Sequence, residues 1–305
     1  MLPPVTFRPW RDAMQDALYG PAGFYVQGLP RAHFRTSVTA GPLFAEAVRR
    51  LAERVDDALG RPDPFDLVDL GAGGGELLAA MSDVPTRWRL TAVDVSGRWS
   101  DEVPEIDGLL LANEWLDNVP LEVLFDGRVV EVDETGAERL AGPGSAAALA
   151  WADQWWPTTR RVEVGVTRDA AWAGAVAKVR RGLAVAIDYA HTTADRRPTL
   201  TGHRDGRQVA PIPDGTCDLT AHVALDSCAT ATGARLMTQR EALTRLGISA
   251  DKPDRSMADD DPRGYLARLQ QAQAAAELLD PRGLGAFAWL VQPVGIPDPL
   301  TDSDA

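Results

Sequence analysis

Four glycines follow a short apolar run within five positions, and an acid lies near the end of that run. The run is Phe65–Leu70, the acid is Asp69, and a helical pattern begins at Glu76. Strand, glycine turn and helix in this order begin the nucleotide site of many α/β domains. Glycines let the backbone turn tightly and approach a ligand with no Cβ in the way. The pattern predicts a nucleoside-binding turn, and an ordinary strand-to-helix turn is the less favoured alternative.

The glycine spacing discriminates between ligands. A dinucleotide fingerprint requires glycine or alanine three positions after its second glycine, and counted from Gly71 and Gly73 that position holds the long acid Glu76. A Walker A loop requires Gly-Lys-Ser/Thr, but the only lysines are Lys178 and Lys252. An acid beside the turn would repel a pyrophosphate and attract a cationic group. A nicotinamide oxidoreductase is therefore disfavoured.

The pattern that remains is acid-x-Gly-x-Gly-x-Gly, and it resembles the first motif of the S-adenosyl-L-methionine-dependent methyltransferases of the doubly wound class. This resemblance implies a cofactor without phosphate that carries a cationic amino-acid tail and a sulfonium. The residues that the resemblance assigns to binding S-adenosyl-L-methionine in this turn are Asp69, Gly71, Ala72, Gly73 and Gly75.

A second acid follows the next predicted strand, Trp88–Val93. Asp94 lies 19 residues after Gly75, close to the spacing of about 20 residues expected of a ribose-binding acid. Its carboxylate could accept hydrogen bonds from both ribose hydroxyls, and Val95 beside it is expected to contact the cofactor as well. The alternative is a solvated loop aspartate.

Polar residues also follow the predicted buried strand at 109–112. They include Asn113, Glu114 and Asp117. Open parallel sheets bind ligands at the carboxyl ends of their strands, so we expect this segment to face the ligand. Asn113 and Glu114 are predicted to contact the cofactor, or Asn113 to bond the strand end.

Composition restricts the classes of protein. The chain has 305 residues, of which 45% are apolar and 25% charged, as in a globular protein with a large core. No run approaches the roughly 18 apolar residues of a membrane helix, and no signal-peptide pattern opens the sequence. Cys217 and Cys228 are too few for a disulfide framework or a zinc set. We expect a cytoplasmic protein with no metal site and no membrane partner.

The net charge of −13 disfavours nucleic acid as a partner, because no basic patch offsets it. A cationic substrate is compatible with this charge, although acidity that serves solubility is the simpler explanation. The sequence leaves the oligomeric state open.

The apolar periodicity predicts an α/β fold. The resemblance to the methyltransferases implies a doubly wound Rossmann-like sheet with an added N-terminal helical cap and C-terminal helical insertions. The predicted divisions are a cap at 1–62, a core domain at 63–296 with an insertion around 190–285, and a polar tail at 297–305. Predicted helices cover 9–18, 43–59, 168–181 closed by Gly182, a segment from 218 to Gly233, 239–246 behind a capping box, and 262–279. Further predicted strands cover 123–125 and 128–130 around an Asp-Gly turn, 162–164, 183–187 and 287–291.

Several further segments resemble the MidA-like family of methyltransferases in order and spacing. They are Tyr-Gly-Pro-Ala-Gly-Phe-Tyr at 19–25, Phe-Arg-Thr-Ser at 34–37, Leu-Ala-Asn-Glu-Trp-Leu-Asp-Asn-Val-Pro at 111–120, Ile-Asp-Tyr at 187–189, Asp-Leu-Thr-Ala-His-Val at 218–223 and Thr-Gln at 238–239. The family includes the mitochondrial methyltransferase that assists assembly of respiratory complex I. The chain departs from it at His33, where an acid is usual, and at Asp94, where glutamate is usual.

This resemblance implies protein arginine N-methylation, with a protein as substrate. A guanidinium is always protonated in water, so carboxylates must orient it, hold its charge and take up the released proton. Glu114 and Asp117 are the candidates, because residues three apart share a face on a helical turn. The alternative is that Glu114 only holds the cofactor and Asp117 caps a helix.

Three other residues have two interpretations each. Asp188, at the end of the strand 183–187, could line the acceptor pocket as a catalytic residue or make a strand-end hydrogen bond. His222 could act as a base or be a structural histidine, and Thr36 could reach the cofactor or cap the helix after it. Besides a protein arginine methyltransferase, the sequence leaves open a methyltransferase for a small molecule and an assembly factor with little catalysis.

Overall fold

A computed structural model describes residues 6–27, 42–81, 83–157 and 159–301. The candidate Thr36 and the family segment 34–37 lie outside these residues.

The described residues contain strands that belong to three sheets. In chain order they are β1 (Arg8–Pro9), β2 (Phe65–Leu70), β3 (Trp88–Val93), β4 (Ile106–Asn113), β5 (Glu122–Phe125), β6 (Arg128–Val132), β7 (Glu138–Pro143), β8 (Arg161–Val164), β9 (Val179–Asp188), β10 (Thr201–Arg204), β11 (Arg207–Val209), β12 (Asp218–Thr220), β13 (Arg235–Thr238) and β14 (Ala288–Val294).

Helices lie between these strands. The α-helices are α1 (Trp10–Tyr19), α2 (Pro42–Ala58), α3 (Glu76–Ala79), α4 (Ala146–Trp155), α5 (Val166–Val176), α6 (Leu225–Thr232), α7 (Gln239–Arg245), α8 (Met257–Asp260) and α9 (Pro262–Leu278). Short 3₁₀ helices cover Leu116–Asn118 and Leu284–Ala286.

The central sheet has six strands in the order β13, β14, β9, β4, β2, β3. β3, β2, β4 and β9 pair in parallel, whereas β14 and β13 are antiparallel additions at the other edge. From β2 the chain goes to β3 on one side and then returns to β4 on the other side. The strand order therefore reverses at β2, and an open α/β sheet binds its ligand at such a reversal.

Both faces of this sheet are covered, as the doubly wound prediction requires. Leu67, Leu109 and Val185 face α2, α7 and α9 in one apolar core. Side chains one position along each strand, such as Val68 and Leu110, pack against α5 and α6 in a second core. Successive side chains of a strand point to opposite faces, so the near-continuous apolar runs of β2 and β4 supply both cores.

A second sheet contains β1, β6, β5 and β8, with β7 paired to β6, and a third contains β11, β10 and β12. The N-terminal helix α1 buries Trp10, Met14 and Leu18 against strands of both sheets. The turn between β5 and β6 is the predicted Asp126-Gly127 hairpin, with φ of 48° and 74°, as a type I′ turn requires. The packing of α1 on the two smaller sheets places the N-terminal segment next to the central sheet.

The predicted helix at 168–181 with Gly182 as its cap is wrong beyond residue 176. α5 ends at Val176, and Gly182 lies inside β9 opposite Gly108 of β4. A Cβ added at Gly182, where φ is 136°, would lie 1.9 Å from the Gly108 carbonyl oxygen. Gly182 therefore serves close approach between two strands.

The helix predicted to start at residue 218 begins at Leu225 instead. Asp218–Thr220 is strand β12, with both polar side chains buried. The Asp218 carboxylate accepts hydrogen bonds from other segments, and the Thr220 hydroxyl donates one. These side chains therefore cannot form the solvated first turn of a helix. The predicted end is confirmed, because Gly233 closes α6 with a left-handed φ of 75°.

The predicted division into cap, core domain and tail stays a prediction. α2 from the predicted cap shares an apolar core with the central sheet, and the predicted insertion includes β13 of that sheet. Residues 133–160, which the sequence did not place, contain β7 and α4. Among the described helices, none is both long and apolar enough to cross a bilayer.

We predict that Gly182→Ala lowers the free energy of unfolding by about 3 kcal/mol, because the new methyl group would meet the β4 backbone at a positive φ. Urea denaturation of the purified protein measures this value. The control is Gly174→Ala in the exposed part of α5, where an added Cβ meets nothing within 4 Å and where stability should rise by up to about 1 kcal/mol. Wild-type stability in Gly182→Ala would contradict the close approach of the two strands.

Candidate active site

A cleft of about 370 Å³ opens where the chain order of the central sheet reverses. Its wall takes residues from the carboxyl ends of β2, β3 and β4 and from the N-terminal helix. The lining residues are Gln15, Tyr19, Tyr25, Leu70, Gly71, Gly73, Val93, Asp94, Val95, Asp101, Val103, Glu114, Trp115, Asn118, Val119 and Pro120. The sequence prediction placed a ligand at these strand ends, and the cleft lies there.

The glycine turn between β2 and α3 requires glycine at three positions. Gly71, Gly73 and Gly75 have φ of 78°, 54° and 81°, a region that side chains with a Cβ rarely adopt. A Cβ added at Gly71 would lie 2.9 Å from the Trp115 ring, whereas one added at Gly73 would meet nothing within 4 Å. Gly73 therefore borders open space in the cleft, which a ligand can fill.

Asp94 joins the end of β3 to this turn. One carboxylate oxygen accepts a hydrogen bond from the Gly73 amide at 3.0 Å, and the other accepts from the Ser96 amide at 2.7 Å. A carboxylate offers about four acceptor positions, so Asp94 retains capacity for hydroxyl donors from the cleft. Trp99, which was not among the predicted site residues, donates to the Gly73 carbonyl at 3.1 Å.

Asp69 is 5% exposed beneath the turn. Its burial, and then the nearby carboxylates of Asp94 and Glu76, raise the pKa of Asp69 to about 7. Ala72, also predicted to bind the cofactor, is buried and donates its amide to the Val93 carbonyl at 3.1 Å. A cation in the cleft near Asp69 would favour its ionised form.

Glu114 lines the cleft immediately after β4. Its φ of 52° is left-handed, a strained conformation for a residue with a Cβ that costs of the order of 1 kcal/mol and recurs at functional sites. Its amide donates to the Ile187 carbonyl at 2.8 Å, and one carboxylate oxygen accepts from the Asn113 side chain at 3.1 Å. Asn113 itself is buried and lies behind the cleft wall rather than on it.

Asp117 and Asp188 do not line the cleft. The positive φ of Glu114 breaks the helical turn on which Glu114 and Asp117 would share a face, so the predicted pairing is wrong in geometry. The Asp117 carboxylate accepts from the Thr220 hydroxyl at 2.5 Å, and burial raises its pKa. Asp188 is fully buried and accepts from the amides of Leu116 and Asp117 at 2.9 and 3.2 Å. Its geometry is that of the strand-end hydrogen bond, and a catalytic role for either acid stays a prediction.

Arg168 lies behind the same segment. Its guanidinium is buried and donates to the carbonyl oxygens of Val119, Ala221, His222 and Asp117 at 2.6–3.1 Å. It therefore ties the segment after β4 to the segment after β12. Burial lowers the pKa of Arg168, and the nearby Asp117 and Asp188 act against that shift.

His222 also lies outside the cleft lining. Its ring stacks on Tyr189 with centroids 5.7 Å apart, and burial lowers its pKa. Among the described residues, no group of three or more His, Cys, Asp or Glu side chains is arranged to hold a metal ion.

The N-terminal segment contributes Gln15, Tyr19 and Tyr25 to the cleft, and none of these was among the predicted site residues. The sequence feature that could have identified the two tyrosines is the Tyr-Gly-Pro-Ala-Gly-Phe-Tyr segment of the family resemblance. The periodicity of the sequence, however, does not predict where this segment lies in the fold. α1 brings these side chains to the cleft by packing on the two smaller sheets.

The cleft fits a nucleoside with a cationic tail better than one with phosphates. Open space at Gly73 allows close approach of a ligand, and Asp94 can accept from sugar hydroxyls. Acids line the cleft at Asp94, Asp101 and Glu114, whereas no lysine or arginine is among the described residues of its lining. These acids suit a sulfonium and an ammonium and oppose a pyrophosphate.

Comparisons with known proteins agree with this geometry. A family model described as "Putative S-adenosyl-L-methionine-dependent methyltransferase" matches residues 82–241, more than half of the chain. No curated protein matches the chain.

Two crystal structures of proteins from Burkholderia thailandensis are similar over nearly the whole chain. One is described as a COG1565 superfamily member and "likely methyl transferase" bound to S-adenosyl-homocysteine; it has a TM-score of 0.74 and 24% identity and covers 96% of this chain and 90% of its own. The other is a native structure of an uncharacterized COG1565 superfamily protein, with a TM-score of 0.76, 25% identity and coverage of 97% and 90%.

The predicted fold class, cofactor and enzyme class are confirmed together, since the family model, the strand order of the sheet and the chemistry of the cleft agree. The chain belongs to the S-adenosyl-L-methionine-dependent methyltransferase family that this model describes, which is the MidA-like family.

Proposed function

We propose that the chain is a protein arginine N-methyltransferase and that its substrate is an arginine side chain of another protein. The observation that carries this proposal is Glu114, a carboxylate set on the cleft wall by a strained backbone, in a lining that has further acids and no described basic side chain. A permanently charged guanidinium is the protein side chain that such a lining attracts most.

S-adenosyl-L-methionine, when bound, supplies a methyl group on a sulfonium sulfur. A guanidinium nitrogen forms the new bond to carbon while the carbon–sulfur bond breaks and its electron pair stays on sulfur. The attacking nitrogen must also lose a proton. The Glu114 carboxylate is suited to orient the guanidinium through charged hydrogen bonds and to accept that proton on an oxygen.

The shape of the cleft supports an acceptor that belongs to a large molecule. Gln15, Val95 and Asp101 line it and are themselves exposed, so the cleft reaches the surface and a side chain can enter. We further propose that the protein acts in the cytoplasm, where its protein substrates would be found.

Two alternatives stay open. A methyltransferase for a small cationic molecule would use the same acids, and an assembly factor would bind the cofactor and a partner with little transfer. Incubation of the purified protein with a cell lysate and methyl-labelled cofactor separates these cases. We expect label in protein and, after acid hydrolysis, in methylated arginine.

The matched variant in this experiment is Glu114→Gln, which keeps the size of the side chain and removes its charge. We predict that it slows transfer by about 100-fold or more, the usual effect of removing a positioned proton acceptor. Label only in small molecules, label in a residue other than arginine, or unchanged transfer by Glu114→Gln would each contradict the proposal.

We predict that Gly73→Val weakens binding of S-adenosyl-L-methionine by about 100-fold or more, because a branched side chain would fill the open space beside the turn. Isothermal titration calorimetry measures this affinity. Gly206→Val is the control for strain, since Gly206 has a φ of 71° and open space around its Cβ position but lies in the β10–β11 hairpin. Wild-type affinity in Gly73→Val would show that the turn does not border the ligand.

We predict that the affinity for S-adenosyl-homocysteine rises about tenfold from pH 6 to pH 8 in wild-type protein but not in Asp69→Asn. The pKa of Asp69 is raised to about 7 in the free protein. A bound ammonium would lower it, so binding releases a proton and is favoured as pH rises. Titration calorimetry of both proteins across this range isolates the contribution of Asp69, and parallel profiles would place the ligand's cation elsewhere.

A further inference from the structure

Two tyrosines of the N-terminal segment line the same cleft as Glu114. Tyr19 is the last residue of α1, and Tyr25 lies in the turn that follows. Their rings stack with centroids 5.6 Å apart and an interplanar angle of 16°. The pair is an aromatic wall that no cofactor motif of the sequence explains.

The hydroxyl groups of both tyrosines are engaged by the protein. Tyr19 donates to the Asn118 carbonyl oxygen at 3.1 Å, and Tyr25 donates to a carboxylate oxygen of Asp218 at 3.0 Å. Burial raises the pKa of each phenol well above its usual value. These phenols stay neutral, and what they offer a ligand in the cleft is ring surface.

One buried carboxylate holds this wall in place. Asp218, 4% exposed, accepts from Tyr25 and also from the Asn118 side chain at 2.9 Å. The same Asn118 amide donates to the Leu219 carbonyl at 3.2 Å, and the Asn118 carbonyl holds Tyr19. Asp218 thereby fixes both rings, Tyr25 directly and Tyr19 through Asn118.

Aromatic faces attract cations most strongly where water is excluded. The acidic residues Glu114, Asp94 and Asp101 line the same cleft. A flat cation beside the tyrosine rings would therefore meet aromatic surface and carboxylate charge in one cavity. The guanidinium group matches both, because it is planar, permanently charged and weakly hydrated.

We infer that Tyr19 and Tyr25 form the binding site for the guanidinium of the methyl acceptor, and that Asp218 is a positioning residue that holds them. This inference rests on the proposed function and names the residues that would select its substrate. In this arrangement the glycine turn binds the methyl donor, and the two tyrosines bind the methyl acceptor.

The test compares two synthetic probes with the full-length protein. Both are adenosine derivatives with the same 5′ arm, which ends in a guanidinium in one probe and in a neutral urea of the same shape in the other. Calorimetry gives the ratio of their dissociation constants. We expect wild-type protein to prefer the guanidinium probe by about tenfold, the size of a desolvated cation–π contact.

The variants separate ring surface from hydroxyl. Tyr19→Leu and Tyr25→Leu should each lower the preference by about threefold, since one ring is lost while the Glu114 carboxylate still attracts the guanidinium, and the affinity for S-adenosyl-homocysteine should be unchanged. Tyr19→Phe keeps the ring and loses only the hydroxyl contact to Asn118, so it should lower the preference less than Tyr19→Leu does. Tyr265→Leu on α9, outside the cleft lining, is the matched control and should keep the preference.

Asp218 is tested in the same assay. Asp218→Ala should lower the preference with little change in affinity for S-adenosyl-homocysteine, and Asp218→Asn should restore it because an amide oxygen still accepts from Tyr25. If Asp218 were only structural, Asp218→Ala would lower the affinity for the guanidinium probe and the affinity for S-adenosyl-homocysteine together. That result would overturn the positioning role.

The outcomes distinguish this inference from the proposed function. If wild-type protein prefers the guanidinium probe and both leucine variants keep that preference, the aromatic site is wrong and the arginine proposal stands. If wild-type protein binds S-adenosyl-homocysteine and both probes equally well, the arginine proposal fails and the inference fails with it.

Discussion

The hydrogen bond from the Gly73 amide to Asp94 joins the ends of two parallel strands across the reversal of the central sheet. It requires a backbone that turns through three positive φ angles, and hence the alternating glycines of the turn. It also holds a carboxylate at the mouth of the cleft, where hydroxyl groups of a sugar can reach it. The part of the cleft that would hold the methyl donor depends on this one contact.

The part of the cleft that would hold the methyl acceptor depends on a second constraint, the left-handed backbone of Glu114. A helical continuation of β4 would have turned Glu114 and Asp117 to a common face. Instead Glu114 lines the cleft while Asp117 turns inward to Thr220, close to the buried Arg168. The buried polar groups behind the wall thus shape the cleft, whereas the carboxylates on the wall border its open space.

The sequence predicted the features that are local along the chain. The strand, glycine turn and helix, the acid after β3, the Asp-Gly hairpin and the capping box at Thr238 depend on neighbouring residues only, and all are present. Gly182 and Asp218 were misinterpreted, because their partners, Gly108 and Asn118, lie about 70 and 100 residues away. The tyrosines of the cleft were missed for the same reason, since only tertiary packing of α1 brings them there.

The central claim is that a nucleoside with a cationic tail lies across the glycine turn with its sugar at Asp94. A crystal structure of the protein grown with S-adenosyl-homocysteine tests it most directly. The account predicts ligand density beside Gly73, ribose hydroxyls within hydrogen-bond distance of the Asp94 carboxylate, the ligand's ammonium near Asp69 and its sulfur facing Glu114. Density elsewhere in the fold, or a turn filled by the protein's own side chains, would contradict it.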